Sequence, residues 1–200
     1  MKFLIIAITI ITIFSACKKN ESSNAQEKTL TPKTTEYTKS LPEVKKTEIT
    51  LGEAVTSVID KQASRLSNIN LACISISGYE ISPGNEFSFN NVVGERTVER
   101  GYKEAAVLSN GEVCMGIGGG ICQVSTTVYM AAKNANLKIK ERHLHSKPVA
   151  YAPGRTDATV VYGKLDMRFE NTTEDIIHLY TWVENESVYA KITKIDYNTN

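Results

Sequence analysis

The sequence predicts an α+β fold, in which a mostly antiparallel sheet packs against two helices in a single domain. Apolar residues recur at helical spacing over 53–76 and again from Cys122 to about 135. Much of the remaining domain alternates apolar and polar residues in short runs between turn residues, which is typical of antiparallel strands. Apolar density stays high from about Leu51 to Ile195, so this part of the chain is long enough to bury a core.

The extreme N-terminus has the pattern of a secretory signal. Lys2 precedes the apolar run 3–14, and two small residues, Ser15 and Ala16, come directly before Cys17. A cysteine in that position resembles a bacterial lipoprotein cleavage site, with lipid attached to the Cys17 thiol. A transmembrane anchor is the alternative, but the run is shorter than the ~20 apolar residues that a span needs. We therefore predict a lipoprotein signal peptide over 1–16.

Residues 17–50 are predicted to be the lipidated Cys17 and a flexible tether. They are rich in Lys, Glu, Thr and Ser and poor in large apolar residues, so they cannot bury enough surface to offset the entropy of ordering. The folded domain is then expected over 51–196, outside the cytoplasm in the cell envelope and held at a membrane by the N-terminal lipid. The formal net charge is +1 with interspersed signs, so no nucleic-acid partner is expected.

The predicted elements follow one another along the domain. The first helix covers 53–76 and stops near Gly78, and a strand carries Phe87 and Phe89. A hairpin turns at Asn110-Gly111 between strands 105–108 and 112–115. The second helix starts at Cys122 and ends near 134–136. The remaining strands are expected at 137–141, 158–162, 165–169, 176–183 and 187–195.

GGGICQVSTT, residues 118–127, is the stretch most suggestive of chemistry. Glycines permit positive φ or close backbone approach. A thiol in the first turn of a helix lies near unpaired N–H groups, which can lower its pKa from ~8.5 to as little as ~3.5 and can stabilise an oxyanion. The same stretch also suits an anion-binding loop. The candidate ligand-binding residues here are Gly118, Gly119, Gly120, Gln123, Ser125 and Thr126.

A thiol enzyme also needs a base, and RHLHSKPVAY supplies His143 and His145, which would share one face of a strand. Asp157 is a candidate to orient an imidazole, and Arg155 to bind a substrate carboxylate. We therefore take Cys122, His143, His145 and Asp157 as candidate catalytic residues.

Cys122 has other interpretations that the sequence leaves open. It could be a small packed residue, form a disulfide with Cys114, or bind a metal with Cys114, His143 and His145. The eight-residue separation of the two cysteines is not typical of zinc sites, and neither a metal nor another cofactor is predicted. The Ser125 and Thr126 hydroxyls could simply cap the helix.

Several blocks together resemble the VanW family of bacterial envelope proteins. They are SPGNEFSFNNVVGERTVERGY (82–102), NGEV (110–113), GIGGGICQVSTTVYMAA (116–132), ERHLHSKPVAY (141–151), GRTDATVVYG (154–163) and LDMRFEN (165–171). The family is named after an accessory protein of vancomycin-resistance clusters. The resemblance implies an envelope location and a connection with peptidoglycan or glycopeptide resistance, and it supplies no reaction.

Two functions follow as hypotheses. In the first, the domain is an accessory module that binds a peptidoglycan fragment or an envelope protein through the glycine loop, the histidines and Arg155. In the second, it is a Cys–His enzyme, a hydrolase or transpeptidase, that acts by acyl transfer on peptidoglycan peptides.

Overall fold

The computed structural model describes residues 44–109 and 111–199. The predicted signal peptide, Cys17 and most of the predicted tether lie outside the described residues. Within the described residues, no helix has both the length and the hydropathy to cross a membrane.

The described elements form an α+β domain, as predicted. In chain order they are β1 (Val44–Ser57), α1 (Ala63–Ile76), β2 (Tyr79–Ile81), β3 (Glu86–Ser88), α2 (Phe89–Val93), β4 (Glu104–Ser109), β5 (Glu112–Ile117), α3 (Ile121–Asn134), β6 (Lys138–Glu141), a 3-10 turn (Pro153–Arg155), β7 (Arg168–Glu170), β8 (Ile177–Glu184) and β9 (Ser187–Thr199).

The largest sheet is four-stranded and antiparallel, in the order β1-β9-β8-β2. Alternate residues of β8 and β9 point to one face and are almost fully buried there: Ile177, Leu179, Val188, Ala190 and Ile192. The two long helices, α1 and α3, cover this face and contact each other. The core therefore lies between one sheet and two helices, because each element has a single apolar face to bury.

Two smaller antiparallel sheets complete the fold. Strands β3, β7 and β6 pair in that order, and β4 pairs with β5 as a separate hairpin. Phe87 and Phe169 lie opposite each other in the first of these sheets, with ring centroids 5.1 Å apart. The β4–β5 hairpin ends at Ile117, and only Gly118–Gly120 separate it from α3. This short connection fixes where the helix begins.

The N-terminal boundary of the domain differs from the prediction. Residues 44–50 were predicted as tether and 53–57 as helix, but all of them belong to β1 and pair with β9. Gly52, Thr56 and Val58 are buried and Val55 is exposed, so the apolar pattern here has a period of two. The tether prediction was wrong for 44–50. These residues are mostly polar, so composition suggests a tether, but backbone pairing with β9 stabilises them as a strand.

Two other elements differ from the prediction. Phe89 begins the short helix α2 instead of continuing a strand, because Ser88 caps a helix by accepting a hydrogen bond from the Asn91 N–H. Residues 158–162 make only isolated bridges, His143 with Thr159 and Val161 with Leu165. The hairpin of β4 and β5, the second long helix and the terminal hairpin of β8 and β9 lie where the sequence predicts them.

Candidate active site

Cys122 lies in the first turn of α3, directly after the glycine loop, which we define as Gly118–Gly120. Gly120 caps the helix with φ 106° and ψ −22°, a left-handed conformation that glycine adopts without the steric cost of a Cβ. First-turn N–H groups of a helix have no intrahelical acceptor and carry partial positive charge. The thiol is therefore at the positive end of α3.

The glycine loop is held between α1 and β4. A Cβ on Gly119 would lie 2.6 Å from the Ala106 carbonyl oxygen, so no other residue fits without moving backbone. The buried Asn68 of α1 donates from Nδ2 to the Gly119 carbonyl at 3.0 Å and to the Lys103 carbonyl at 2.9 Å. The loop that precedes Cys122 is thus fixed from both sides.

His145 and Asp157 form a buried pair beside the thiol. Asp157 Oδ2 lies 2.7 Å from His145 Nδ1 and also accepts the His145 backbone N–H at 2.7 Å. Asp157 is completely buried, and His145 is 7% exposed. Since Nδ1 is bonded to the carboxylate, Nε2 is the ring nitrogen left to exchange a proton with another group.

The electrostatics of this pair favour its charged form. Burial works against a charged His145, yet the Cys122 thiol and Asp157 outweigh it, so the pKa of His145 is raised. Burial likewise opposes ionisation of Asp157, but hydrogen bonds from the His145 backbone and ring outweigh it, so the pKa of Asp157 is lowered. The thiol itself donates to the Val160 carbonyl at 3.6 Å. Thiol, imidazole and carboxylate are therefore in the order that nucleophilic catalysis uses.

The predicted ligand-binding hydroxyls of Ser125 and Thr126 instead join two parts of the site. Both residues are fully buried. Thr126 Oγ1 accepts the Ala158 N–H at 2.9 Å and donates to the Cys122 carbonyl at 2.7 Å, while Ser125 Oγ donates to the Ala158 carbonyl. These bonds hold the residue after Asp157 against the first turns of α3. They fix the carboxylate relative to the thiol and leave no hydroxyl for a ligand.

Two further side chains support the same arrangement. Arg142 donates from Nε to the Asp157 carbonyl at 2.8 Å, and its guanidinium lies 4.4 Å from the Tyr129 ring centroid on α3. Gln123 is almost fully buried and donates to the Ser57 carbonyl at 3.0 Å, which ties the start of α3 to the end of β1.

The thiol opens into a cavity of about 560 Å³. One wall is the β4–β5 hairpin, with Leu108, Val113 and Ile117, and another is the segment 159–162. The predicted site residues that line the cavity are Gly118, Gly120, Cys122, Gln123 and His145. Cys122 is therefore half-buried: it packs against the core, as the packed-residue interpretation expects, and it also lines a space that can hold a small ligand.

Tyr151 closes the cavity next to the imidazole. Its ring stands edge-on to His145, with centroids 6.4 Å apart at 82°. Burial is the main cause that raises the pKa of Tyr151, and the nearby Cys122 thiol adds to it. The phenol therefore stays neutral and shields the imidazole from water.

Other predicted residues are not brought to the thiol. His143 pairs with Glu141 at 2.9 Å, and Arg155 is exposed in the 3-10 turn, and neither lines the cavity. Cys114 and Cys122 are both free, so the disulfide interpretation is wrong. Among the described residues, no three His, Cys, Asp or Glu side chains form a group that could hold a metal ion.

Sequence reasoning missed four residues of the site: Asn68, Arg65, Arg96 and Tyr151. Arg96 and Tyr151 lie inside the motif blocks 82–102 and 141–151, and that is the signal that could have found them. Arg65 has no signal in the sequence, since an arginine on a helix is usually solvated.

Comparison with known proteins agrees with the motif blocks. Residues 64–193 match the model of the family described as VanW like protein. The chain belongs to the VanW-like family. This VanW-like chain is 45% identical over 121 residues to the uncharacterized protein YoaR of Bacillus subtilis (strain 168), which is 60% of this chain and 40% of that protein. It is 26% identical over 136 residues to the vancomycin B-type resistance protein VanW of Enterococcus faecalis (strain ATCC 700802 / V583), which is 66% of this chain and 50% of that protein.

The VanW-like chain thus spans half or less of the length of these two relatives. No solved structure matches it. The resemblance stated from the sequence is confirmed at the level of the family.

Proposed function

We propose that this VanW-like chain is a thiol-dependent acyltransferase, acting as a hydrolase or a transpeptidase on peptides of the cell wall. The observation that supports this most directly is the arrangement of Cys122 at the positive end of α3, beside an imidazole whose Nδ1 is bonded to the buried Asp157. Each group has a role in acyl transfer that requires its neighbour: Cys122 and His145 line the cavity, and Asp157 is buried behind the imidazole.

In the proposed reaction, the Cys122 thiolate attacks the carbonyl carbon of a peptide bond and forms an S–C bond. The Ile121 and Gln123 N–H groups donate to the Gly118 and Gly120 carbonyls, so the first-turn donor that stabilises the oxyanion is the Cys122 N–H. The C–N bond then breaks, and His145 gives its Nε2 proton to the leaving amine. Water or an acceptor amine attacks the thioester, His145 takes the proton of that nucleophile, and the C–S bond breaks, which releases the hydrolysed or transferred product and restores the thiolate and the protonated His145.

The proposed location and substrate class rest on the sequence and on a relative. The charged, apolar and small-residue pattern before Cys17 supports a lipid anchor in the cell envelope, where cell-wall peptides are the available acyl donors. The name of the Enterococcus relative links that protein to vancomycin resistance.

The test is to incubate the purified full chain with peptidoglycan-derived muropeptides and to follow products and acyl-enzyme by mass spectrometry. We expect cleaved or cross-linked peptides with the wild type and an adduct on Cys122. Cys122→Ala should abolish product. Cys114→Ala is the matched control, because Cys114 is a free and exposed thiol outside the site, and this variant should keep full activity.

Equal product from wild type and Cys122→Ala would exclude the thiol mechanism. Binding without turnover is the second candidate function, and the 560 Å³ cavity is the observation that favours it. In that case muropeptides would bind the wild type and Cys122→Ala equally, and no adduct would form.

A further inference from the structure

Two arginines lie on either side of the glycine loop, and both line the cavity of Cys122. The place of a Cβ on Gly118 is 3.0 Å from the Arg96 Cβ, and that of a Cβ on Gly120 is 3.1 Å from the Arg65 Cγ. Glycine at these two positions therefore lets the two side chains lie directly against the loop. The loop brings together a thiol, a helix terminus and two guanidinium groups.

Neither arginine has a direct carboxylate partner. Within the described residues, Arg65 and Arg96 form no ion pair. Asp166 lies near Arg96 but accepts its hydrogen bonds from Ser88 and Asn90, and the Arg96 guanidinium lies 5.5 Å from the Phe89 ring centroid. Arg96 spends NH1 on the Asn90 side chain at 2.8 Å and the Gly94 carbonyl at 3.0 Å. Its NH2 is buried and has no hydrogen-bond partner in the structure. The NH2 group of Arg96 is thus left free to donate to a ligand.

Arg65 is similar. It makes two long hydrogen bonds of 3.4 Å, to the Ala106 carbonyl and to Gln123 Oε1, and its Nε is buried without a partner. Burial is the main cause that lowers the pKa of Arg96, and this is partly offset by the nearby Tyr102, Cys122 and Asp166. Burying a guanidinium N–H without a hydrogen-bond acceptor costs free energy, unless a ligand supplies the acceptor. The cavity also contains Glu95, but that residue is exposed.

We propose that Arg65 and Arg96 form a carboxylate-binding subsite beside Cys122, so that the acyl donor is a peptide carrying a free carboxylate near the bond that is attacked. A planar guanidinium matches a carboxylate in geometry and charge, and two of them around one loop exclude neutral peptides from the same position. This inference rests on the proposed use of Cys122 as the reactive group. It adds two specificity-determining residues to the triad.

The test compares two alkylating reagents of nearly equal size, iodoacetate and iodoacetamide, on the full chain. In both reactions the thiolate sulfur forms a bond to the methylene carbon and iodide leaves, but only iodoacetate carries a carboxylate. The rate of each is followed at Cys122 and at Cys114 by peptide mass spectrometry. Cys114 is the internal reference because it is exposed and absent from the cavity lining. Burial raises the pKa of Cys73 to about 12, so that thiol reacts slowly.

We expect the iodoacetate-to-iodoacetamide rate ratio to be roughly tenfold higher at Cys122 than at Cys114, the effect of one charge-assisted contact. Arg96→Gln and Arg65→Gln should each lower the ratio towards that of Cys114. Lys133→Gln removes one positive charge from the other end of α3 and should leave the ratio unchanged.

Equal ratios at the two cysteines in the wild type would overturn the subsite, and this measurement needs no variant to fold. If Arg96 acts only on the thiolate, Arg96→Gln slows both reagents equally and the ratio stays high, which also contradicts the proposal. A raised ratio without muropeptide turnover would retain the subsite and reject acyl transfer. Muropeptide turnover with equal rate ratios at Cys122 and Cys114 would retain acyl transfer and reject the subsite.

Discussion

At the scale of single residues, the coupling of His145 to Asp157 is the main feature of the candidate site. The imidazole would lose its charge in a buried site if it stood alone, because burial alone lowers its pKa. The Cys122 thiol and then Asp157 reverse this, and the bond to the fully buried carboxylate fixes the ring so that Nδ1 faces Asp157. The imidazole is therefore oriented beside the thiol before any substrate arrives, and in its protonated form it can give its Nε2 proton to a leaving group.

This coupling predicts a pH dependence of stability. The pKa of Asp157 is lowered on folding, so its ionised form stabilises the fold above the unfolded value of ~3.9, and this is lost as the pH falls through the folded value. The pKa of His145 is raised, so its protonated form stabilises the fold below ~6.5, and this is lost as the pH rises through the folded value. Both contributions are present between these limits.

Thermal melting of Asp157→Asn should therefore fall furthest below that of the wild type between about pH 4 and pH 6.5. Glu174→Gln is the control, because Glu174 is an exposed carboxylate and should show no such window. A difference between Asp157→Asn and wild type that is constant with pH would mean that the pair stabilises the fold only through packing.

Of the candidate catalytic residues named from the sequence, the structure brings Cys122, His145 and Asp157 together, and their role stays a prediction. Cys122, His145 and Asp157 follow from chemistry that only a few residue types supply, so all three could be named. His143 was named with equal weight, because a two-residue spacing cannot tell which imidazole turns inward. Arg65 and Arg96 were missed because arginines are common on surfaces, and only the packing against Gly118 and Gly120 singles them out.

At the scale of elements, the connection from β5 to α3 determines where the thiol lies. Gly119 meets the backbone of β4 and has no positive φ, so its requirement for glycine is purely one of space. We expect Gly119→Ala to destabilise the protein by about 1–3 kcal/mol, as overpacking typically does. It should also slow alkylation of Cys122, because the loop and the first turn of α3 move together.

Gly163→Ala is the matched control for this prediction. A Cβ at Gly163 would have no atom within 4 Å, but its φ is +72°, so only a backbone cost of about 1 kcal/mol is expected and no change at Cys122. Denaturant unfolding of both variants measures the free energies. An equal and small cost at the two positions would mean that the loop is not tightly packed.

Element boundaries were predicted unevenly for a physical reason. Helix α3 and the hairpin of β8 and β9 carry strong periodicity and turn residues, and both were found. The prediction divided strand β1 between tether and helix. Its buried positions include Gly52 and Thr56, which are not the large apolar residues by which a strand pattern is recognised. Gly52 is in fact packed against the backbone of Ala131 and Ala135, which no local pattern signals.

At the scale of the whole molecule, pairing with β1 makes β9 an interior strand of the largest sheet instead of an edge strand. Its pairing continues from Val44 opposite Thr199 to Ser57 opposite Ser187, and it covers the full length of β9. A chain that starts at residue 51, as the composition suggests, would leave the outer half of β9 unpaired. Glu48 would also no longer accept the Thr193 hydroxyl hydrogen bond, which is 2.9 Å long.

We therefore expect a chain that starts at residue 51 to melt roughly 5 °C below one that starts at residue 44, since each lost kcal/mol shifts Tm by about 2–4 °C in a domain of this size. Its bare edge should also promote association at high concentration. Calorimetry and light scattering measure the two effects. Identical melting temperatures would mean that 44–50 behave as tether after all.

The pairing of Val44 with Thr199 brings the first and last described strand residues side by side. Further chain could therefore be added before Val44 and after Thr199 without passing through the domain or across the opening of the Cys122 cavity. Any additional sequence in the longer relatives would then join this domain at one edge of the sheet. Such additions could be exchanged without altering the cavity at Cys122.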